Sequence, residues 1–328
     1  MQKFLVIQTA FIGDVVLATG ILEKLHAHFP GARIDFLVRK GNESLLAGHP
    51  FLQETLVWDK KKGKLKNLWK MLLVIRRRKY DKVINVQRFA ATGLLTAFSG
   101  AKATIGFDKN PLSRLFTKRV RHVVSTTGAP LHEIRRNQEL IKDFTDDTPA
   151  MPRLYPTEQD YAKAAAYKGT PYITVGPASV WFTKQYPADK WISFIRKIPS
   201  SYKVYLLGAP SDRELCATIS RETSAISLAG ELSFLQSAAL MKDAAMNYVN
   251  DSAPMHFASS VNAPVTAIYC STIPAFGFGP LSDKRFIVEI KEPLDCRPCG
   301  LHGYKACPLG HFKCALRIED EQLLQSLT

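Results

Sequence analysis

Apolar, β-branched-rich runs alternate with stretches of helical periodicity along the whole chain, and this alternation restricts the fold more than any other feature. Strands are predicted at Phe4–Ile7, Ile34–Val38, Thr55–Trp58, Lys82–Val86 and Thr104–Phe107, with helices at Val15–His28, Leu65–Arg78 and Glu133–Phe144. The second half repeats the pattern with strands at Tyr172–Val175, Val204–Leu207, Ala225–Leu228, Met246–Val249 and Val265–Tyr269. Such alternation demands right-handed crossovers, hence parallel sheets with helices on both faces. The 328 residues are enough for two domains, at roughly 150 residues each. The break falls in TDDTPAMPRLYP, between Asp146 and Pro156, which has three prolines and no apolar period. The expected architecture is α/β, with domains 1–150 and 151–328. Each is a Rossmann-like doubly wound parallel sheet, and the cleft between them is lined by loops at the carboxyl ends of the strands.

Composition narrows the partners. Lys and Arg number 44 against 29 Asp and Glu, a formal charge of +15. That surplus selects an anionic partner: nucleotide, phosphorylated lipid, nucleic acid or membrane surface. It is concentrated. Residues Lys60–Lys82 hold eleven Lys and Arg against one acid, Asp81. Leu65, Leu68, Leu72 and Ile75 repeat there at helical spacing, which predicts an amphipathic helix with basic ends. Arg76, Arg77, Arg78 and Lys79, extended by Arg88, Lys118, Arg119 and Arg121, are expected to face an anionic acceptor or the cytoplasmic leaflet. No DNA- or RNA-binding motif accompanies them, so nucleic acid is not the expected partner. Met71–Ile75 is too short to span a bilayer. The apolar Phe4–Leu22 stretch has only Lys3 before it and is interrupted by Gln8 and Asp14. It reads as a buried first strand and helix, and the protein as cytoplasmic.

Nucleotide fingerprints of the GxGxxG and GxxxxGK[ST] types are missing. The first strand runs instead into Gly13-Asp14. Asp14 stands where a helix cap and a cleft-facing catalytic base would both stand, and both readings remain open. After Tyr172–Val175, a small-residue turn with Ser179 leads to Lys184. After Met246–Val249 comes NDSAPMHFASS, which gathers Asp251, Ser252 and His256 at a helix N-terminus able to receive phosphate. Cys296, Cys299, Cys307 and Cys314 form C-x2-C-x7-C-x6-C with His302 and His311 between them. The spacing permits a structural zinc site or a cluster of packed, reduced thiols.

The ordered set FIGDVVLAT, AS…K…YP..KW, LGAPSDRE, LAGELS and NDSAPMHFA resembles glycosyltransferase family 9, whose best-known members are ADP-heptose:lipopolysaccharide heptosyltransferases. The resemblance runs from the first strand to the cysteine-rich segment at 296–314. It implies a GT-B fold of two facing Rossmann-like domains, with acceptor on the first and nucleotide sugar on the second. It also implies inversion at the anomeric carbon without a required metal. Asp14, after Gly13, matches the family's general base. Ser179 and Lys184 match the loop that contacts the donor diphosphate. Asp212, with Glu214 as fallback, matches the ribose-holding acid, and Leu232 falls near the adenine. Asp251, Ser252 and His256 match D-[ST]-G-x-x-H. The motif's glycine is Ala253 here, and Val180 replaces a frequent threonine. The resemblance implies an ADP-sugar donor and a lipopolysaccharide-type acceptor, to which the basic segment adds peripheral contact with the inner face of the inner membrane. Readings from other classes are a non-enzymatic nucleic-acid or anionic-membrane binder and an epimerase.

Overall fold

The computed structural model describes residues 1–61, 63–124 and 130–327. It divides into two compact units, Met1–Tyr155 and Pro156–Thr328. The first unit runs β1 (Lys3–Ile7), α1 (Ile12–His28), β2 (Arg33–Arg39), β3 (Leu52–Trp58), α2 (Lys64–Arg78), β4 (Lys82–Asn85), α3 (Ala90–Ala97), β5 (Ala103–Phe107), β6 (Lys118–Val120) and α4 (Glu133–Gln138). The second runs α5 (Glu158–Ala165), β7 (Tyr172–Gly176), α6 (Ala188–Arg196), β8 (Lys203–Leu206), α7 (Arg213–Arg221), β9 (Ile226–Ser227), α8 (Phe234–Lys242), β10 (Met246–Asn250), α9 (Ala253–Ser260), β11 (Val265–Tyr269) and β12 (Arg285–Glu289), then two short helices, α10 (Lys313–Leu316) and α11 (Asp320–Leu324).

Each unit holds one six-stranded sheet, in the orders β3-β2-β1-β4-β5-β6 and β12-β11-β10-β7-β8-β9. The ladders are parallel throughout. Central strands β1, β7, β10 and β11 are covered on both faces and so read as continuous apolar runs. The edge strand β6 is short and polar and carries no comparable signal, whereas β12 is apolar in sequence but exposed at Phe286 and Ile287. Strand order reverses between β1 and β4 in one sheet and between β7 and β10 in the other. At such a switch point the neighbouring loops diverge and leave a crevice at the carboxyl ends of the strands.

Helix α1 begins at Ile12, with Phe11 as its N-cap residue and Asp14 inside its first turn. Asp14 is therefore not the N-cap; its carboxylate sits where the helix dipole favours negative charge. The predicted Glu133–Phe144 helix is shorter, ending at Gln138 before a 3-10 turn at Lys142–Phe144. Leu68, Leu72 and Ile75 of α2 enter the core with Leu5, Leu37 and Val83. Leu65 does not, and is 71% exposed.

Residues 151–155 stay with the first unit because α1 holds them. The Arg153 amide donates to Thr19 Oγ1 at 2.9 Å, and the Tyr155 hydroxyl donates to Glu23 at 2.9 Å. A Cβ on Gly20 would lie 2.7 Å from the Ala150 carbonyl oxygen, so the close approach requires glycine. Gly20→Ala should cost about 1–3 kcal/mol by overpacking. The first unit's unfolding midpoint should fall by roughly 2–4 °C per kcal/mol, measured by thermal denaturation.

Candidate active site

In the second unit the site is built at the β7/β10 switch point. Asn250, fully buried at the end of β10, accepts the Tyr186 amide at 3.0 Å and donates to the Pro177 carbonyl at 2.8 Å. It thereby ties the loop after β7 to the end of β10. The next residue, Asp251, pairs with Lys184 Nζ at 2.6 Å, and its Oδ2 accepts the Thr272 hydroxyl at 2.6 Å. Lys184 ends a 3-10 turn, Phe182–Lys184, whose middle residue is buried. The Thr183 amide donates to the Tyr304 carbonyl at 3.1 Å, and Thr183 Oγ1 accepts the Tyr304 amide at 2.8 Å. Gly303, at φ +75°, packs so closely that a Cβ would lie 2.8 Å from Thr183 Oγ1 and 3.0 Å from Lys184 Cγ. Arg297 donates to the carbonyls of Cys270 (2.9 Å), Tyr269 (3.2 Å) and Thr272 (2.8 Å) and to Glu289 (2.6 Å). The cysteine-rich segment thus embraces the lysine–aspartate pair.

Ser252 is the N-cap residue of α9, and its side chain bonds no helix N–H. Pro254 stands in the first turn, and His256 is buried on the same helix. Ser179, Asp212, Glu214 and Leu232 follow β7, β8 and β9 along the same carboxyl edge. Ser179's amide donates to Gln185 Oε1 at 3.3 Å. Asp212 is committed to its own loop: Oδ2 accepts the Ala209 amide at 2.8 Å and Oδ1 the Ser211 hydroxyl at 3.1 Å. Glu214 is exposed and Leu232 half-buried. The edge from β10 to β9 crosses three strand intervals, about 14 Å at ~4.8 Å each, the reach of an extended nucleoside diphosphate.

In the first unit, Gly13 is buried and Asp14 half-buried above β1. Cations cluster on the same carboxyl edge, each over an aromatic ring. Arg39 lies 5.6 Å from the Phe11 ring centre, Lys60 4.8 Å from Trp58, Arg88 5.5 Å from Phe89 and Lys109 5.5 Å from Phe107. Lys60 Nζ also donates to the carbonyl and hydroxyl of Thr9, at 2.9 and 2.7 Å, in the loop before α1. Burial pushes Lys60 down to about 8, with Arg39 and Lys64 adding to the effect. Burial likewise pushes Lys109 down to about 8; Glu133 and Asp14 oppose the shift, and Arg88 and Arg136 reinforce it.

Of the five acceptor residues expected from sequence, only Arg88 reaches this edge. Arg76, Arg77, Arg78 and Lys79 end α2 at the opposite, amino edge of the sheet, before β4 begins. Arg78 is bound there to buried Asp35 (2.9 Å) and to Glu54 (2.6 Å). A fully buried carboxylate requires a counter-charge, and Arg78 supplies it. Lys62 of the basic segment lies outside the described residues. Sequence reasoning missed Arg39, Lys109, Thr183, Thr272 and Arg297, and did not single out Lys60. A signal existed for two of them: Trp58-Asp59-Lys60 and Phe107-Asp108-Lys109 repeat aromatic-Asp-Lys at the ends of β3 and β5.

The four cysteines lie within electrostatic reach of one another, and Cys296 Sγ is 4.0 Å from His311 Nε2. Cys314 is buried in the apolar core, and burial, followed by the neighbouring thiols, pushes it up to about 11. Among the described residues no three His, Cys, Asp or Glu side chains stand where they would hold a metal. Of the four, Cys314 is buried, while Cys296, Cys299 and Cys307 are half-buried.

Two doubly wound parallel sheets of this topology match the GT-B fold of solved glycosyltransferase structures. The profile of glycosyltransferase family 9 (heptosyltransferase) matches residues 68–302, and the chain belongs to that family. It is a glycosyltransferase, which goes against the binding-protein and epimerase readings. The chain is 25% identical to lipopolysaccharide heptosyltransferase 3 of Escherichia coli over 281 residues, 80% of this chain and 82% of that one. The fold matches a family 9 glycosyltransferase from Veillonella parvula at a TM-score of 0.84 and 22% identity, over 99% of this chain and 96% of that one. It matches E. coli ADP-heptose lps heptosyltransferase II at 0.79 and 21%, over 99% and 97%. No helix among the described residues is long and apolar enough to cross a membrane.

Asp251 tests the geometry of the site. Asp251→Asn keeps the shape but leaves a largely buried ammonium without its counter-charge. Breaking such a pair costs up to about 3–5 kcal/mol. Denaturant unfolding should show the loss in the second unit.

Proposed function

We propose that the protein transfers a heptose from ADP-heptose, with inversion, onto a lipopolysaccharide-core acceptor at the membrane surface. The observation that carries this reading is Asp14, a carboxylate held at the β1/β4 switch point beside an edge of cations and aromatic rings. The names of the related proteins, lipopolysaccharide heptosyltransferases, support the substrate pair.

In this reading Asp14 accepts the proton of the acceptor hydroxyl as its oxygen attacks the anomeric carbon. The bond from that carbon to the diphosphate breaks on the opposite face, and ADP leaves with the electron pair. Lys184, Ser252 and the leading N–H groups of α9 are the donors for the growing diphosphate charge. Fixed donors of this kind can do the work of a divalent metal, so none is required. The adenosine extends over β8 and β9 towards Asp212, Glu214 and Leu232. Acceptor phosphates or carboxylates meet Arg39, Lys60, Arg88 and Lys109, while Phe11 and Phe89, 54% and 52% exposed, offer faces to the sugar rings.

Transfer is measured with the purified chain, ADP-heptose and a heptose-deficient core acceptor, with the product followed by mass. Asp14→Asn should retain ADP binding and lower turnover by roughly two orders of magnitude or more. Near-parental turnover would remove Asp14 as the base.

The depressed amines add a pH signature. Lys60 and Lys109 are cationic below about 8 and lose charge above it. Affinity for an anionic acceptor should therefore fall as pH rises through about 8, where ordinary lysines remain charged to about 10. Acceptor KM should rise several-fold over that range. The rise should vanish in Lys60→Arg/Lys109→Arg, because guanidinium keeps its charge.

A further inference from the structure

Helix α2 carries a second apolar row that the core does not use. Leu65, Trp69 and Leu73 stand four residues apart, so they line up on one face. They are 71%, 57% and 52% exposed. The row lies between the core-facing side, Leu68, Leu72 and Ile75, and a parallel row of Lys66, Lys70 and Arg77. Arg76 closes its far end, donating to the carbonyl of the exposed Phe98 at 3.0 Å. Residues 64–79 contain no acid. Among the described residues, Arg78 alone of this helix has carboxylate partners.

An exposed Leu-Trp-Leu row edged by cations has the chemistry of an interfacial helix. Leucine and tryptophan enter the boundary between headgroups and acyl chains, and the cations meet lipid phosphates. A second copy of the chain fits poorly. Two such faces repel, and a row about 12 Å long falls far short of the roughly 800 Å² per partner of a stable interface. The helix is also placed to serve the reaction. Its first turn is tied to the carboxyl edge of the sheet by Asn67, which donates to the Asp59 carbonyl at 3.2 Å, one residue from Lys60. We propose that the outer face of α2 docks the enzyme on an anionic lipid bilayer, so that a lipid-borne acceptor emerges beside Lys60 and Asp14. The proposal rests on the reading that the acceptor is lipid-borne.

The test uses the full chain with vesicles of phosphatidylcholine, with and without phosphatidylglycerol. The parent should sediment with the anionic vesicles and be released by salt. Leu65→Ser/Trp69→Ser/Leu73→Ser and Lys66→Gln/Lys70→Gln/Arg77→Gln should each weaken binding by roughly tenfold or more. Brominated lipid should quench tryptophan emission in the parent but not in Trp69→Phe. All substituted side chains are exposed, so circular dichroism and thermal midpoints should match the parent. Failure to bind anionic vesicles, binding unchanged in both triple variants, or a parent dimer that the serine variant dissolves would each overturn docking. Transfer to a water-soluble core oligosaccharide should be equal in all three proteins. If the parent failed on soluble and lipid-borne acceptors alike, the proposed function would fall while the vesicle result stood by itself.

Discussion

The reversal of strand order at β1/β4 and at β7/β10 is the constraint on which both candidate sites depend. In a parallel sheet every strand releases its loop at the same edge, and a reversal separates two of those loops. Backbone N–H groups and side chains there face a crevice, with no helix packed over them. Asp14 and Arg88 follow the two strands that flank the first reversal; Lys184 and Asp251 follow those that flank the second. Chain segments more than sixty residues apart in each unit come together at these points through topology alone.

Holding the Lys184 ammonium in one place poses a physical problem, because a lysine side chain is long and free to find solvent. Asp251 solves it by charge and Thr272 by fixing the carboxylate. The cysteine-rich segment adds the third restraint, since Gly303 and Tyr304 close on the Thr183–Lys184 turn. Arg297 satisfies three carbonyls at the exit of β11 and so anchors the segment beside the same aspartate. The cysteine-rich segment is therefore part of the scaffold of the candidate site in the second unit. Its glycine is required by positive φ and by the absence of room for a Cβ.

Much of this was legible without coordinates. Apolar runs located the central strands to within a residue or two, because double-sided burial makes them mostly apolar and the polar residues that remain, such as Thr174 and Asn247, bond to each other. The edge strand β6 escaped for the opposite reason, since its three residues are mostly polar and half-exposed, while β12 escaped despite its apolar run Phe286-Ile287-Val288. The candidate residues of the second unit were singled out because each lies in or just after the loop that leaves a strand. Of the cationic edge of the first unit only Arg88 was singled out, since its members are single residues scattered over four loops. Trp58-Asp59-Lys60 and Phe107-Asp108-Lys109 show what such a signal looks like: an aromatic ending the strand, an aspartate accepting a backbone amide, and a lysine turned back over the ring. Asp59 accepts the Lys61 amide at 2.9 Å and Asp108 the His122 amide at 3.0 Å.

Charge density misled where position decided. The basic run from Lys60 to Lys82 is one feature in sequence and several in space, because a helix of fifteen residues carries the chain from one edge of the sheet to the other. At its start, Lys60 is drawn in at the carboxyl edge and loses hydration, which is what lowers its affinity for the proton. At its end, Arg78 is neutralised by Asp35 and Glu54 and has no charge to offer a ligand. Between them, the cations of α2 stay in water beside an apolar row. The surplus therefore divides into a site charge, a structural counter-charge and a surface charge, and only the distance of each residue from the sheet's two edges tells them apart.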